Sequence, residues 1–283
     1  MERIGIIGLG LVGSALAERL ISTGYSVAGY DTLPMQNDAL SRLGGQPLFG
    51  ADELAKSCQT IILSLPTSDI AAVVVENIKP YLPGKTILDT TTGQPETMAS
   101  MGQQLADIRC DYLDATIAGS SSQVRSGDVV VMLGGTAAAV QRCESLLVVL
   151  AKQWFHLGPW GSGARMKLVV NLVLGLNRAV LAEGLSFAKS IGVEPRQALE
   201  VLMAGPAFSR VMETKGEKML TRDFTPQARL TQHHKDVALI LAEAARSQRH
   251  LPLSTLHEEL LAGLVAAGDG DLDNSAIIKA FEN

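Results

Sequence analysis

Along the first half of the chain, short apolar runs rich in β-branched residues alternate with longer stretches of helical periodicity. RIGIIG, SVAGYD, TIILSL, TILDTT, CDYLDA and VVVMLGG read as strands, with WFHLG near 154–158 as one more. Between them, Leu11–Ser22, Ser68–Ile78 and Pro95–Asp107 read as helices. Strands this uniformly apolar are buried on both faces, and intervening helices imply a parallel sheet with right-handed crossovers. The pattern predicts an α/β, doubly wound first half.

After Gly158 the alternation stops. GPWGSG is rich in turn formers, and only helical periodicity follows it. Helices are expected over about 164–191, 195–204, 208–220, 230–247 and 254–267, broken at Gly192, Gly205-Pro206, Pro226 and Pro252. The first is long enough to run from one domain into the next. The reading is therefore a Rossmann-type doubly wound α/β domain over 1–160 and an all-helical domain over 161–283, joined by that long helix.

Composition narrows the function. With 47% hydrophobic and 19% charged residues, the chain is a folded, core-rich protein. A net charge of −5 without any basic run argues against nucleic-acid partners and anionic membrane surfaces, which need a concentrated basic face. Cys58, Cys110 and Cys143 are odd in number and widely spaced, so they form neither a disulfide framework nor a zinc signature. They read as reduced thiols in a cytoplasmic protein. The chain enters RIGIIGLG directly after Met1-Glu2, without the pattern of a signal peptide. A membrane span is not expected either, since Asn171, Asn177, Arg178 and Glu183 break the apolar stretch after Lys167 before it reaches roughly 20 residues.

The first candidate site is IGIIGLGLVGSALAERL, where Gly8, Gly10 and Gly13 have the G-x-G-x-x-G spacing between a strand and a helix. That geometry needs a tight turn, close backbone approach to a pyrophosphate, and close helix–strand packing. The loop Gly8, Leu9, Gly10, Leu11, Val12, Gly13 would place the phosphates on a helix N-terminus, whose free N–H groups favour negative charge. Asp31 closes the second strand about twenty residues on, where a carboxylate accepts from the adenosine ribose hydroxyls. A 2′-phosphate would meet like charge there with no arginine following, which favours NAD over NADP. Leu65-Pro66 and Thr92 end two further strands, at the edge where open α/β sheets bind ligands.

The second candidate site is GARMKLVVNLVLGLNRAV. Lys167 and Asn171 stand four residues apart, on one face of an otherwise apolar helix. Such a pair either snorkels to water or lines a site. Upstream, DATIAGSSSQVRSG follows a strand with small residues, and downstream QHHKDVALILAEAARS opens a helix with Lys235-Asp236. Taken in order, these segments resemble the β-hydroxyacid dehydrogenases, the group of 3-hydroxyisobutyrate dehydrogenase and the tartronate semialdehyde reductases. The likeness covers nearly the whole chain. It includes the glycine loop, the D-x-S-T-x-x-P-like segment 89–95 and the D-A-P-V-S-G-like segment 114–119. It continues through the G-x-G-x-x-x-K-x-x-x-N-like segment 161–171, the start of the Lys235 helix and the tail GDGDLDNSAIIKAFE.

The resemblance implies that Lys167 is the acid/base and that Asn171 binds and orients the substrate. It also implies that Lys235 lies over the nicotinamide end, that Thr92 contacts the cofactor, and that Ala118, Gly119 and Ser120 hold a substrate carboxylate. Two positions depart from the family: Thr116 replaces a proline and Ala118 replaces a serine. The lost hydroxyl weakens the grip on the acid by about 0.5–1.5 kcal/mol or more. Backbone N–H groups at Gly119 and Ser120 remain, and hydroxyls of Ser120, Ser121 or Ser122 are available to compensate.

The implied chemistry is hydride transfer between a nicotinamide and a small hydroxy acid or its semialdehyde. Lys167 takes the hydroxyl proton in oxidation and returns it in reduction. An apolar helix face and a neighbouring Lys235 would both disfavour a charged amine, as a base working near neutral pH requires. Two other readings stand beside this one. An NADPH-dependent semialdehyde or imine reductase of the same fold conflicts with Asp31 and with Lys167. A non-catalytic dinucleotide-sensing module conflicts with the intact Lys167–Asn171 pair.

No metal is expected. His233-His234 lack ligands at metal spacing and read as solvent-facing or capping. DGDLDNSAIIKA lacks the glycine and terminal glutamate of a calcium loop. Ser120–Ser122 lack a nucleophile elbow. Trp154 and Trp160 are expected to pack between the domains, and the helical domain to assemble a homodimer or homotetramer.

Overall fold

In the computed structural model, residues 3–282 are described. The chain divides into two compact units, Met1–Lys167 and Leu168–Asn283. The first unit holds β1 (Arg3–Ile7), α1 (Leu11–Ser22), β2 (Ser26–Tyr30), α2 (Pro34–Arg42), β3 (Gln46–Pro47), α3 (Ala51–Ser57) and β4 (Thr60–Leu63). It continues through α4 (Ser68–Ile78), β5 (Thr86–Asp89), α5 (Pro95–Asp107), β6 (Asp111–Ala118), α6 (Ser121–Ser126), β7 (Val130–Gly134), α7 (Ala137–Leu150) and β8 (Gln153–His156). The long helix α8 (Ser162–Ser190) begins in this unit.

The strands form one sheet in the order β3-β2-β1-β4-β5-β6-β7-β8. The order reverses between β1 and β4, and that switch point is where doubly wound sheets open a ligand crevice. Apolar side chains pack on both faces. One core draws on Leu16 and Leu20 of α1, Val124 of α6 and Leu146 and Leu147 of α7. The other draws on Leu54 of α3, Val75 of α4, and Met98 and Met101 of α5.

The all-parallel expectation needs one correction: β7 runs antiparallel to β6. The connection 119–129 carries only the six-residue α6, and a parallel return needs a dozen residues or more. Trp160 donates to Tyr112 O at 2.9 Å and lies over Gly102, while Trp154 packs on the α1/α7 core, so both belong to the sheet unit.

The second unit takes the rest of α8 with α9 (Pro195–Ala204), α10 (Arg210–Thr221), α11 (Leu230–Arg246), α12 (Pro252–Ala266) and a closing 3₁₀ segment, Asn274–Phe281. Leu181 and Leu185 of α8 pack with Leu199, Met212, Val237, Leu261 and Ile277. Buried Asp273 knots its far end, accepting from Lys215 Nζ at 2.8 Å and from the N–H groups of Gln227 at 2.9 Å and Ser275 at 3.1 Å. Among the described residues, α8 alone is long and apolar enough to cross a membrane, yet it buries Asn171 and Arg178 within the packed helices.

Candidate active site

At the carboxyl end of β1, Gly8 takes φ +91°, and a Cβ there would lie 2.3 Å from Ser64 O. A Cβ on Gly13 would lie 1.9 Å from Gly8 O, so helix α1 reaches the strand only without a side chain. Gly10 is different: nothing stands within 4 Å of a Cβ built on it, and it is exposed. It also occupies the N-cap of α1, where no side chain caps the helix and no acidic residue enters the first turn. Leu11, Val12 and Gly13 therefore present first-turn N–H groups to a bare helix N-terminus, which fits a pyrophosphate.

Asp31 follows β2 and draws the loop together. Its Oδ2 accepts from Leu9 N at 2.7 Å and its Oδ1 from Leu33 N at 2.9 Å. Each oxygen keeps a second lone pair, so the carboxylate is oriented and still able to accept from a ribose hydroxyl. Leu65 follows β4 and donates its N–H to Thr91 Oγ1 at 3.2 Å. Thr91 is buried while Thr92 beside it is half-exposed. Pro66 is exposed at the same edge. The parallel register of β2, β1, β4 and β5 brings all these residues to one rim.

Two buried acids that sequence reading left unassigned set the frame of the site. Asp89 accepts from Tyr112 Oη at 2.9 Å and from Thr91 N at 3.0 Å. Burial, with the nearby Asp114 charge adding to it, pushes its carboxyl up to about 6 despite those bonds. Asp114 accepts from Gly161 N at 2.9 Å and Ala164 N at 2.8 Å, anchoring the start of α8. Burial also raises Asp114, and the two backbone donors oppose that. Thr116, at the family's proline position, donates to Gly163 O at 3.0 Å and makes a second tie to the same turn. The sequence signal was their place in the two family-like segments, but their partners lie up to 50 residues away.

These ties hold Lys167 at the second turn of α8. It is buried, and its Nζ donates to Ile117 O, near the end of β6, at 2.5 Å. Asn171 is one turn further along the helix, also buried, and its Nδ2 donates to Asp236 Oδ2 at 2.8 Å. That bond fixes the amide so that Oδ1 is left as its acceptor. Lys235 Nζ lies 3.0 Å from Asp236 Oδ1, so its charge is matched by a carboxylate.

After β6, Gly119 takes φ +155° and Ser120 caps α6. The Ser120 N–H and hydroxyl both bond Gln123 Oε1, at 2.9 and 3.2 Å, in a capping box. The backbone donor expected from Ser120 is thus taken up locally. Ser121 is buried and Ser122 exposed. His233 is buried rather than solvent-facing, and His234 pairs with Glu258 at 2.8 Å. No cluster of metal-binding side chains occurs among the described residues.

Comparison with known proteins completes the picture. Residues 3–158 match the family of the NAD-binding domain of 6-phosphogluconate dehydrogenase. Residues 161–281 match the family described as NAD-binding of NADP-dependent 3-hydroxyisobutyrate dehydrogenase. The chain is 31% identical to 2-hydroxy-3-oxopropionate reductase of Escherichia coli, over 99% of this chain and 97% of that protein. It is 30% identical to 2-(hydroxymethyl)glutarate dehydrogenase of Eubacterium barkeri, over 99% and 95%. Its fold is similar to the crystal structure of 3-hydroxyisobutyrate dehydrogenase from Salmonella typhimurium, with a TM-score of 0.90, 23% identity and 99% of each chain covered. The chain belongs to the 3-hydroxyisobutyrate dehydrogenase-like family of β-hydroxyacid dehydrogenases, NAD(P)-binding oxidoreductases of small hydroxy acids and semialdehydes.

Proposed function

We propose that this protein uses NAD to interconvert a small β-hydroxy acid of the 3-hydroxyisobutyrate type and its semialdehyde, with Lys167 as the acid/base. The observation that carries this reading is the buried Lys167 amine, held on Ile117 O at the end of β6 by a helix that Asp114 and Thr116 anchor. A lysine only 9% exposed, with its amine bonded to a strand-end carbonyl, does not snorkel to water. The bound nicotinamide would supply the hydride, and the protein supplies position and a proton. Lys167 Nζ takes the substrate hydroxyl proton in oxidation and returns it to the carbonyl oxygen in reduction. Asn171, its amide set by Asp236, offers Oδ1 to the substrate hydroxyl.

The uncapped N-terminus of α1 and the open face of Gly10 support the assignment of residues 8–13 to the pyrophosphate. Asp31 supports NAD over NADP, because a 2′-phosphate would face a carboxylate already oriented by Leu9 and Leu33. Leu65, Pro66 and Thr92 line the same rim, and Gly119 with Ser121 supplies the substrate carboxylate contacts that capped Ser120 does not. Lys235, paired with Asp236, is assigned to the nicotinamide end of the cofactor.

Exposed Val169, Val173, Val180, Phe187 and Ile191 recur along α8 and just beyond it at helical spacing. They support a second copy of the chain as the partner, in a dimer or tetramer. The three cysteine thiols are all buried, which suits a cytoplasmic protein.

The test is a spectrophotometric screen of small hydroxy acids and semialdehydes with NAD(H) and NADP(H), run on the wild type and on Lys167→Met. Turnover with NAD(H) is expected to fall by about 10²–10⁴ in the variant, the usual range for a lost acid/base, while NAD binding stays near wild type. Retained turnover would remove Lys167 from the mechanism. Equal rates with NADP(H) would overturn the reading of Asp31.

A further inference from the structure

The helical unit contains a buried positive site that the reaction does not use. Gly175 of α8 lies beneath two imidazoles: a Cβ built on it would stand 2.6 Å from His233 Nε2 and 2.7 Å from His257 Cε1. The rings, from α11 and α12, tilt against each other with centroids 5.2 Å apart. One turn along α8, Arg178 is only 7% exposed, and its Nε and Nη1 meet no acceptor among the described residues. His257 is 3% exposed, and its Nε2 has no partner either. The two are neighbours: burial first, then the Arg178 charge, pulls His257 down to about 4.

The charges in this cluster do not cancel. Among the described residues, the carboxylate whose charge acts on Arg178 is Asp273. Both oxygens of Asp273 are already taken by Lys215 Nζ, at 2.8 and 2.9 Å, and by the N–H groups of Gln227, Ala228 and Ser275. Arg178 and Lys215 against Asp273 leave one buried positive charge. Burial lowers Arg178 to about 10, which still keeps the guanidinium charged near neutral pH. A water molecule would satisfy the orphaned donors but leave that charge unbalanced, and an unbalanced buried charge costs far more than an unpaired neutral donor. The imidazoles pressed onto Gly175 bound the space, so the missing acceptor is small.

We propose that Arg178 and His257 hold a monatomic anion of chloride size inside the helical unit, as a structural counter-ion. Its binding would stabilise the folded chain by mass action and leave the dehydrogenase chemistry at the sheet rim untouched.

Two measurements test this. Crystals of the wild-type protein grown in bromide are expected to show an anomalous peak within hydrogen-bonding distance of Arg178 Nε or Nη1 and of His257. In parallel, chloride is exchanged for methanesulfonate at constant ionic strength while the thermal midpoint is followed. The wild-type midpoint should rise with chloride and then increase only with its logarithm, and Arg178→Met should lose the response. A wild-type bromide map with only water at Arg178 overturns the proposal, as does an equal chloride response in the variant. If Arg178→Met does not fold, the bromide map decides alone. Neither readout depends on turnover, so failure here is separate from failure of the catalytic reading.

Discussion

The sheet unit and the helical unit satisfy their buried polar side chains in different ways. In the sheet unit most partners are backbone groups: Asp31 takes the N–H of Leu9 and Leu33, Asp89 that of Thr91 beside the Tyr112 hydroxyl, and Asp114 those of Gly161 and Ala164. Lys167 uses the carbonyl of Ile117. Strand ends and helix starts leave such groups unpaired, so a sheet rim is stocked with donors and acceptors. In the helical unit buried side chains depend more on one another: Asn171 on Asp236, and Lys215 on Asp273, which also takes backbone N–H groups from the connecting loops. Arg178 Nε and Nη1, Ser209 Oγ, His257 Nε2, Asn274 Oδ1 and Ser275 Oγ are buried without a partner among the described residues, and these six atoms lie in that unit. A site built on backbone groups tolerates changes of side chain nearby. A site built from side chains fails when one member leaves.

The sharpest way to break this contrast is Lys215→Met. Burial lowers the Lys215 ammonium and Asp273 restores part of that. Burial also pushes Asp273 up, but the Lys215 charge and the surrounding N–H donors outweigh it and hold the carboxyl below its usual range. Removing the lysine takes the ion-pair partner from a carboxylate that is 0% exposed and leaves it its N–H donors and the Arg178 charge. The expected loss is about 3–5 kcal/mol, measured by urea unfolding followed by far-ultraviolet circular dichroism. Both tryptophans, Trp154 and Trp160, sit in the sheet unit, so their fluorescence reports the other half separately. A loss below 1 kcal/mol would show that the N–H donors alone sustain Asp273.

Asp89→Asn is expected to act in the opposite direction. The folded carboxyl titrates near 6 and the unfolded one near 3.8, so the folded chain holds the extra proton between those values. Stability attributable to Asp89 therefore falls as pH rises from about 4 to about 6, and above pH 6 the buried charge costs ~3 kcal/mol. The amide, neutral throughout, should stabilise the protein by up to that amount at pH 7.5 and by almost nothing at pH 4. Tryptophan fluorescence during denaturation at the two pH values reads this difference. His257 gives the helical unit the reverse slope: it falls from 6.5 to about 4 on folding, so its contribution is lost as pH drops through that window. A stabilisation by Asp89→Asn that does not change with pH would remove charge burial as its cause.

What the sequence could and could not reveal follows the same division. The geometry around Gly8, Gly10, Gly13 and Asp31 was legible because that loop is local: strand, turn and helix are consecutive. Strands β1, β2 and β4 to β8 were legible from their β-branched runs, but β3 is two residues, one of them Pro47, on a sheet edge. Helix α2 escaped because Leu40 is its only buried residue, which gives no apolar period. The direction of β7 depended on the length of 119–129 and not on hydropathy. Lys167 and Asn171 stood out by spacing along one helix. Their supports did not, since Ile117 and Asp236 lie 50 and 65 residues away in the chain. The buried charge at Arg178 was invisible for the same reason. It arises where α8, α11, α12 and the 3₁₀ tail converge, and each element taken alone is an ordinary amphipathic segment.

The Asn171–Asp236 bond is the smallest of these effects and the most direct probe of side-chain dependence. A neutral amide donating to a carboxylate at 2.8 Å, with both residues less than a tenth exposed, should be worth about 1.5–3 kcal/mol as a charge-assisted bond. Lys235 at 3.0 Å from the other oxygen lowers what can be measured, because it continues to hold Asp236 when Asn171 is removed. A double-mutant cycle with Asn171→Ala and Asp236→Asn on kcat/KM is therefore expected to show coupling of about 1–2 kcal/mol. The coupling should fall in kcat more than in KM if, as proposed, the bond orients a group that acts on the reacting hydroxyl. Additive single effects would mean that Asp236 serves the fold alone and that α8 holds the Asn171 amide without it, as the backbone holds Asp89 and Asp114 in the other unit.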